Sequence, residues 1–328
     1  MNRIIALSAN EQKALFKEAA KIKKIPESMI EKDFWVCFVL ERLFADKELK
    51  RMFRFKGGTS LSKVFHTIER FSEDIDLILD WRLVSQGEPL ADRSKTQQDK
   101  FNKATEQNAE DFISSVLKEK IQNVLENVCS VSSDEKDRHI LNITYPETLV
   151  NPYLKAGIKL EIGPLASWLP NDEFPVISYV GECLPELSLT PFNVPTILAE
   201  RTFWEKITIL HSEANRPKDS LTPARYSRHY YDVFRLGHSE YKDKAFNQLS
   251  LLKEVVSFKS KFYPSARAHY ETAAIGTLRL MPIEENRKRL EQDYKAMREM
   301  IFGEIPDWND ILTFIADLEK KINGIKNT

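Results

Sequence analysis

Residues 56–76, KGGTSLSKVFHTIERFSEDID, constrain this chain more than any other stretch. An apolar lead-in at Met52, Phe53 and Phe55 reads as a strand running into Gly57-Gly58. Thr59 and Ser60, a short amphipathic helix and Asp74-Ile75-Asp76 inside a second apolar strand (72–79) follow. Glycines carry no Cβ, so the backbone there can take positive φ and approach a ligand, while the N–H groups of a helix start face an anion. Residues two apart on a strand share a face, so Asp74 and Asp76 point together, away from Ile75 and Leu77. Two carboxylates beside an anion cradle suit Mg²⁺, with Mn²⁺ as an alternative; Mg²⁺ takes one or two protein carboxylates and completes its octahedron with water and phosphate oxygens.

A Gly-Gly pair alone is usually a turn, and Asp-x-Asp alone says little. The weight lies in the order: strand, Gly-Gly-Thr-Ser, helix, Asp-x-Asp strand, with fourteen positions from Ser60 to Asp74. The segment is not a P-loop, because G-x-x-x-x-G-K-[ST] occurs nowhere in the chain.

At these residues the chain resembles the polymerase-β-like nucleotidyltransferase superfamily, whose signature is Gly-Gly or Gly-Ser, a helix, then Asp-x-Asp. It is more closely similar to the AbiEii-type toxins of abortive-infection, type IV toxin–antitoxin systems, which carry KGGTSLSK followed by RFSEDIDL. The likeness extends more thinly to Glu31-Lys32-Asp33-Phe34-Trp35, to Arg201-Thr202-Phe203-Trp204-Glu205-Lys206 and to Arg228-His229-Tyr230-Tyr231-Asp232. It implies an enzyme that holds the phosphates of an NTP with Gly57, Gly58, Thr59 and Ser60 and its metal with Asp74 and Asp76. It also implies that Lys206 faces the triphosphate and that Asp232 orients Lys206 or assists the acceptor hydroxyl. A third carboxylate in such proteins lies on a neighbouring strand in an apolar–acid–apolar pattern, which Leu160-Glu161-Ile162 fits. The resemblance further implies a bacterial growth-arrest toxin with a separately encoded antitoxin partner and, for some relatives, the 3′ end of tRNA as acceptor.

Read without the resemblance, some of these residues have plainer alternatives. Glu161 alternates with Lys159 on one strand face and can pair with it. Lys206 can be a solvated helix lysine, and Asp232 can pair with Arg228 at i−4 or Arg235 at i+3. Glu31, Lys32 and Asp33 read as a capped, solvated turn. Transfer of a nucleotide to a protein side chain, and a catalytically silent module that binds NTP or antitoxin, stand as rival functions.

The 48 basic and 49 acidic residues leave a net charge of −1, so no global polycation advertises nucleic acid, and any RNA contact needs a local patch. Cys37, Cys129 and Cys183 are too few and too scattered for a disulfide framework or zinc site. The start lacks the apolar run of a signal peptide and no stretch suits a membrane span, which predicts a soluble, cytoplasmic protein.

Along the chain, Ser8 and Glu11 form a capping box that opens a helix to Lys23, and a second helix follows Pro26. Residues 85–108 read as an exposed loop, 110–129 as a helix, 130–138 as a hairpin-like turn, and 140–145 and 157–163 as strands. Residues 166–195 read as extended segments and turns. Helices are predicted from Pro195 to His211, from Thr222, and over 246–262, 270–280, 282–302 and 307–322. The last region carries basic residues that suit an RNA groove, but interleaved acids favour a solvated face. The fold expected is α/β: helical platform (1–45), small mixed-sheet nucleotidyltransferase core flanked by helices (46–212), helical C-terminal domain (213–328).

Overall fold

The alternation around the glycine pair produces the two strands expected of it. In the computed structural model, which describes residues 1–72, 74–149 and 157–325, Phe53–Lys56 (β1) pairs antiparallel with Asp74–Leu79 (β2). Glu73, placed by the sequence in the same strand, lies outside the described residues. Ser130–Ser133 (β3), Ile140–Thr144 (β4), Ile158–Gly163 (β5), Asn171–Val176 (β6) and Phe192–Ile197 (β7) complete a mixed sheet. Its order is β3-β4-β5-β2-β1-β7-β6, with β2–β5 and β1–β7 parallel and the other neighbours antiparallel. Phe53, Phe55, Leu77, Leu79 and Leu160 fill one face and are fully buried. The chain is therefore mixed α/β, with helices around the sheet.

Two compact units divide it: residues 1–64 with 71–197, and residues 65–70 with 198–328. The first holds the sheet and the N-terminal helices. Ala9–Lys23 is opened by the Ser8–Glu11 capping box as expected. Glu27–Ala45 is buried on every side from Met29 to Leu40, and Trp35 stacks on Tyr145 with ring centroids 5.3 Å apart. The second unit is helical, built on Ala199–Ala214, where Trp204 stacks on Phe246 at 6.0 Å and donates to the Ala245 carbonyl.

Several local expectations are corrected. Residues 95–112 are a helix, Lys95–Phe112, opened by a Ser94–Gln97 capping box; only Gln98, Thr105 and Ala109 turn inward, too weak an apolar stripe to show in the sequence. The 130–138 turn contains strand β3, which pairs with β4. Residues 195–197 belong to β7, and the helix begins at Ala199. The helix after Thr222 starts only at Ser227, where Asp293 accepts from the Arg225 and Ser227 N–H groups and the Ser227 hydroxyl, a cap from distant sequence. The helix expected over 246–262 begins at Ser250 and runs to Phe262, and Phe246 closes a separate helix, Glu240–Phe246. Residues 270–280 hold one short 3₁₀ turn, Tyr270–Thr272, and Gly276 at φ +92° in place of a helix. Among the described residues no helix is long and apolar enough to cross a membrane, and the three cysteines are free.

Candidate active site

In the first unit the site grows from β1, the turn after it, and β2. Lys56 is opposite Asp76 in the register, so the turn starts beside the second carboxylate of the Asp-x-Asp pair. Gly57 takes φ +82°, and a Cβ there would lie 1.9 Å from Asp76 Oδ2, so the missing side chain is what admits that carboxylate. Gly58 already belongs to the helix Gly57–Lys63, and the positive φ is at Gly57 alone of the pair. The Thr59 hydroxyl donates to the carbonyl of Asp74, tying this helix to the start of β2.

Ser60 departs from expectation. It is wholly buried, and its hydroxyl donates to the Gly57 carbonyl at 2.9 Å, so it braces the turn from within instead of facing a ligand. Replacing Gly57 by alanine is expected to destabilise the unit by about 1–2 kcal/mol from the left-handed backbone alone and to push Asp76 out of place. Thermal melts, with nucleotide binding measured on the folded fraction, check this.

Asp74 and Asp76 share a face of β2, and Glu161 is opposite Asp76 on β5, so three carboxylates lie on one side of adjacent strands. Lys159 is opposite Asp74 but its Nζ pairs with Asp134 at 3.2 Å, which removes the predicted alternative of a Lys159–Glu161 pair. Among the described residues no three His, Cys, Asp or Glu side chains converge on one point. Asp74 and Asp76 on one strand face are a donor pair of the kind a hard cation such as Mg²⁺ takes when water and phosphate oxygens complete its shell.

Beneath the glycine turn lies a buried ion pair, one partner of which, Asp33, belongs to the stretch expected to be a solvated turn. Glu31, Lys32 and Asp33 are all buried. Glu31 accepts from the Thr148 N–H and hydroxyl and from the Leu149 N–H at 2.6–2.8 Å. Asp33 accepts from the Tyr179 N–H at 2.6 Å and pairs with Lys63, the last residue of the glycine helix, at 2.7 Å. The Lys63 ammonium also lies 3.8 Å from the centroid of the Tyr179 ring. Burial opposes its charge, but the Asp33 carboxylate outweighs burial and holds Lys63 protonated, above the ordinary lysine range. Both residues stand in stretches quoted above, EKDFW and KGGTSLSK; their partnership had no local signal.

The second unit carries the other predicted residues, and it brings Lys206 and Asp232 together at 2.8 Å. Neither Arg228 nor Arg235 is the partner of Asp232. Arg70 binds it through two parallel bonds of 2.7 and 2.9 Å, and Arg235 pairs with Glu69. Burial alone raises the Asp232 pKa, but Arg70 and Lys206 hold it well below the usual carboxylate range. Burial pulls Lys206 below the ordinary lysine range, partly offset by Asp232, while Arg70 and Arg228 add repulsion. His229 is kept neutral by burial and by Lys206, and its Nδ1 lies 3.2 Å from Lys206 Nζ. An ammonium has three donors, and Asp232 and His229 engage two of them.

In the C-terminal region Arg287 pairs with Glu284, Lys295 with Glu291, and Lys259 binds the Glu205 carbonyl and Thr208 hydroxyl.

A family model described as nucleotidyl transferase AbiEii toxin, type IV TA system, matches residues 39–315. That span includes the glycine turn, the Asp-x-Asp strand, Lys206 and Asp232, and begins after Asp33. Among solved structures the chain is similar to MenT4, a nucleotidyltransferase toxin from Mycobacterium tuberculosis H37Rv, at 15% identity and a TM-score of 0.46, covering 92% of this chain and 98% of that one. It is also similar to JHP933 from Helicobacter pylori, at 12% identity and a TM-score of 0.38, over 90% and 95% of the two chains. No curated protein matches it.

Proposed function

This chain belongs to the AbiEii nucleotidyltransferase toxin family of type IV toxin–antitoxin systems, and we propose that it transfers a nucleotide from an NTP, with Mg²⁺, to the 3′-terminal hydroxyl of tRNA. Growth stops as a result, until a cognate antitoxin neutralises the enzyme. The observation that carries the reading is the Asp74–Asp76 face, whose second carboxylate sits over the Cβ-less Gly57. The choice of tRNA rests on the resemblance of the motifs to toxins that use it.

In this reading Asp74 and Asp76 would hold Mg²⁺, which would supply charge neutralisation at the phosphates, while Glu161, opposite Asp76 on β5, would add negative charge beside the ion without completing a three-carboxylate cage. The turn at Gly57 and Gly58 lets the triphosphate approach the backbone, while Ser60 and Thr59 keep the turn in shape. Lys206 offers its remaining donor to the anionic substrate, and Asp232, fixed by Arg70, orients it. The acceptor oxygen bonds to the α-phosphorus as the bond to the bridging oxygen breaks; the electron pair leaves with pyrophosphate and the hydroxyl proton passes to water.

Incubating the protein with Mg²⁺, each α-labelled NTP and total tRNA, then resolving RNA from protein, tests the proposal. Label is expected at the tRNA 3′ end from one or two of the four nucleotides. Label on protein alone overturns the acceptor, and label on neither overturns the transfer.

A further inference from the structure

Lys56 opens the glycine motif, and its side chain has no role in the proposed transfer. We infer that its ammonium binds the terminal phosphates of the nucleotide, as a further substrate-binding residue of the first unit. The inference rests on the nucleotide reading above and assigns one more contact within it.

Lys56 on β1, Asp76 on β2 and Glu161 on β5 occupy matching positions on three adjacent strands, so they form a row across one face of the sheet. Strand spacing puts neighbours in such a row about 5 Å apart. The order is carboxylate, carboxylate, ammonium, with the cation at the end that borders the Gly57 turn.

The second step is elimination. Basic side chains around this face are engaged elsewhere: Lys63 with Asp33, Lys159 with Asp134, and Arg54 with Asn171 while stacked 4.2 Å from the Trp168 ring centroid. Lys56 is half-buried. Among the described residues its ammonium makes no hydrogen bond or ion pair, not even with Asp76 directly across the ladder. Opposite charges facing one another on neighbouring strands ordinarily attract, so a lysine that stands beside a carboxylate without pairing keeps all three donors available. The ligand that fits a metal-binding carboxylate pair with an unengaged ammonium next to it is a polyphosphate. Its oxygens bridge metal and lysine, and the lysine acts as a point charge on a flexible stem. A nucleoside or a monophosphate does not extend over both.

Calorimetric titration of the full chain, with Mg²⁺, uses a non-hydrolysable NTP analogue and the matching nucleoside monophosphate as probes. Wild type is expected to prefer the triphosphate. Lys56→Gln is expected to lose roughly tenfold or more of triphosphate affinity, the scale of one hydrogen bond to a charged group, with monophosphate affinity unchanged. Lys56→Arg, which keeps the charge, is expected to recover most of the loss, and an unchanged melt shows that the loss is local. Unaltered triphosphate affinity in a folded Lys56→Gln protein overturns the inference and leaves the nucleotide reading standing. Equal loss for both probes overturns the assignment to the terminal phosphates. Failure of wild type to bind any triphosphate overturns the nucleotide reading and this inference with it.

Discussion

Replacing Asp76 with alanine is expected to lower nucleotide transfer by roughly a thousandfold or more, an effect of several kcal/mol on the barrier. Melting should stay close to wild type. The carboxylate is half-exposed at the mouth of the Gly57 turn, on the face of β2 opposite the core residues Ile75 and Leu77. Its loss empties no core space. In the proposed reaction, by contrast, negative charge moves from the α-phosphate toward pyrophosphate, and removing a proposed metal ligand would weaken the stabilisation that grows with that movement. The change should therefore fall on kcat. Steady-state kinetics beside a thermal melt of the same preparation separate the two effects, and full activity in a folded Asp76→Ala protein removes Asp76 from the site.

Asp232→Ala should behave differently, with loss of stability as its first effect. The carboxylate is fully buried and neutralises two buried cations, Arg70 and Lys206. Removing one partner of a buried charge network leaves the others unpaired, at a cost on the order of 3–5 kcal/mol. Asp232→Asn retains an acceptor for Arg70 and should lose less, so it is the better variant for kinetics. The pH dependence has a definite sign. The folded-state pKa of Asp232 is depressed, so its contribution is fully present above the unfolded carboxylate value of roughly 3.9 and is lost as pH falls below it. Urea melts from neutral pH down to about pH 3 should show a steeper acid loss for wild type than for Asp232→Asn. Parallel curves contradict the assignment.

What the sequence made legible follows from how local each signal is. The strand, glycine turn, helix and Asp-x-Asp strand lie within residues 53–79 and obey period-two and turn chemistry, so they read directly. The capping box at Ser8 and Glu11 located its helix for the same reason. Burial of Glu31 and Asp33 was invisible because their partners Thr148 and Tyr179 are 117 and 146 positions away. Asp232 looked to its helical neighbours Arg228 and Arg235 under the i±4 habit, yet Arg70, 162 positions upstream, holds it. Polar helices such as Lys95–Phe112 lack the apolar stripe that identifies a helix, leaving only the cap. Lys206 and Asp232 were found through the resemblance, since on spacing alone each had an ordinary structural explanation.

Nucleotidyl transfer carried by the Asp74–Asp76 face is distinguished from other phosphate chemistry by the position of the label in the NTP. Parallel reactions with tRNA and Mg²⁺ compare α-labelled with γ-labelled nucleotide, for wild type and Asp76→Ala. The account predicts that α-label enters tRNA while γ-label is released as pyrophosphate, and that both signals disappear in Asp76→Ala and on chelation of the metal. Transfer of γ-label to the acceptor, or α-label transfer undiminished in folded Asp76→Ala, contradicts it.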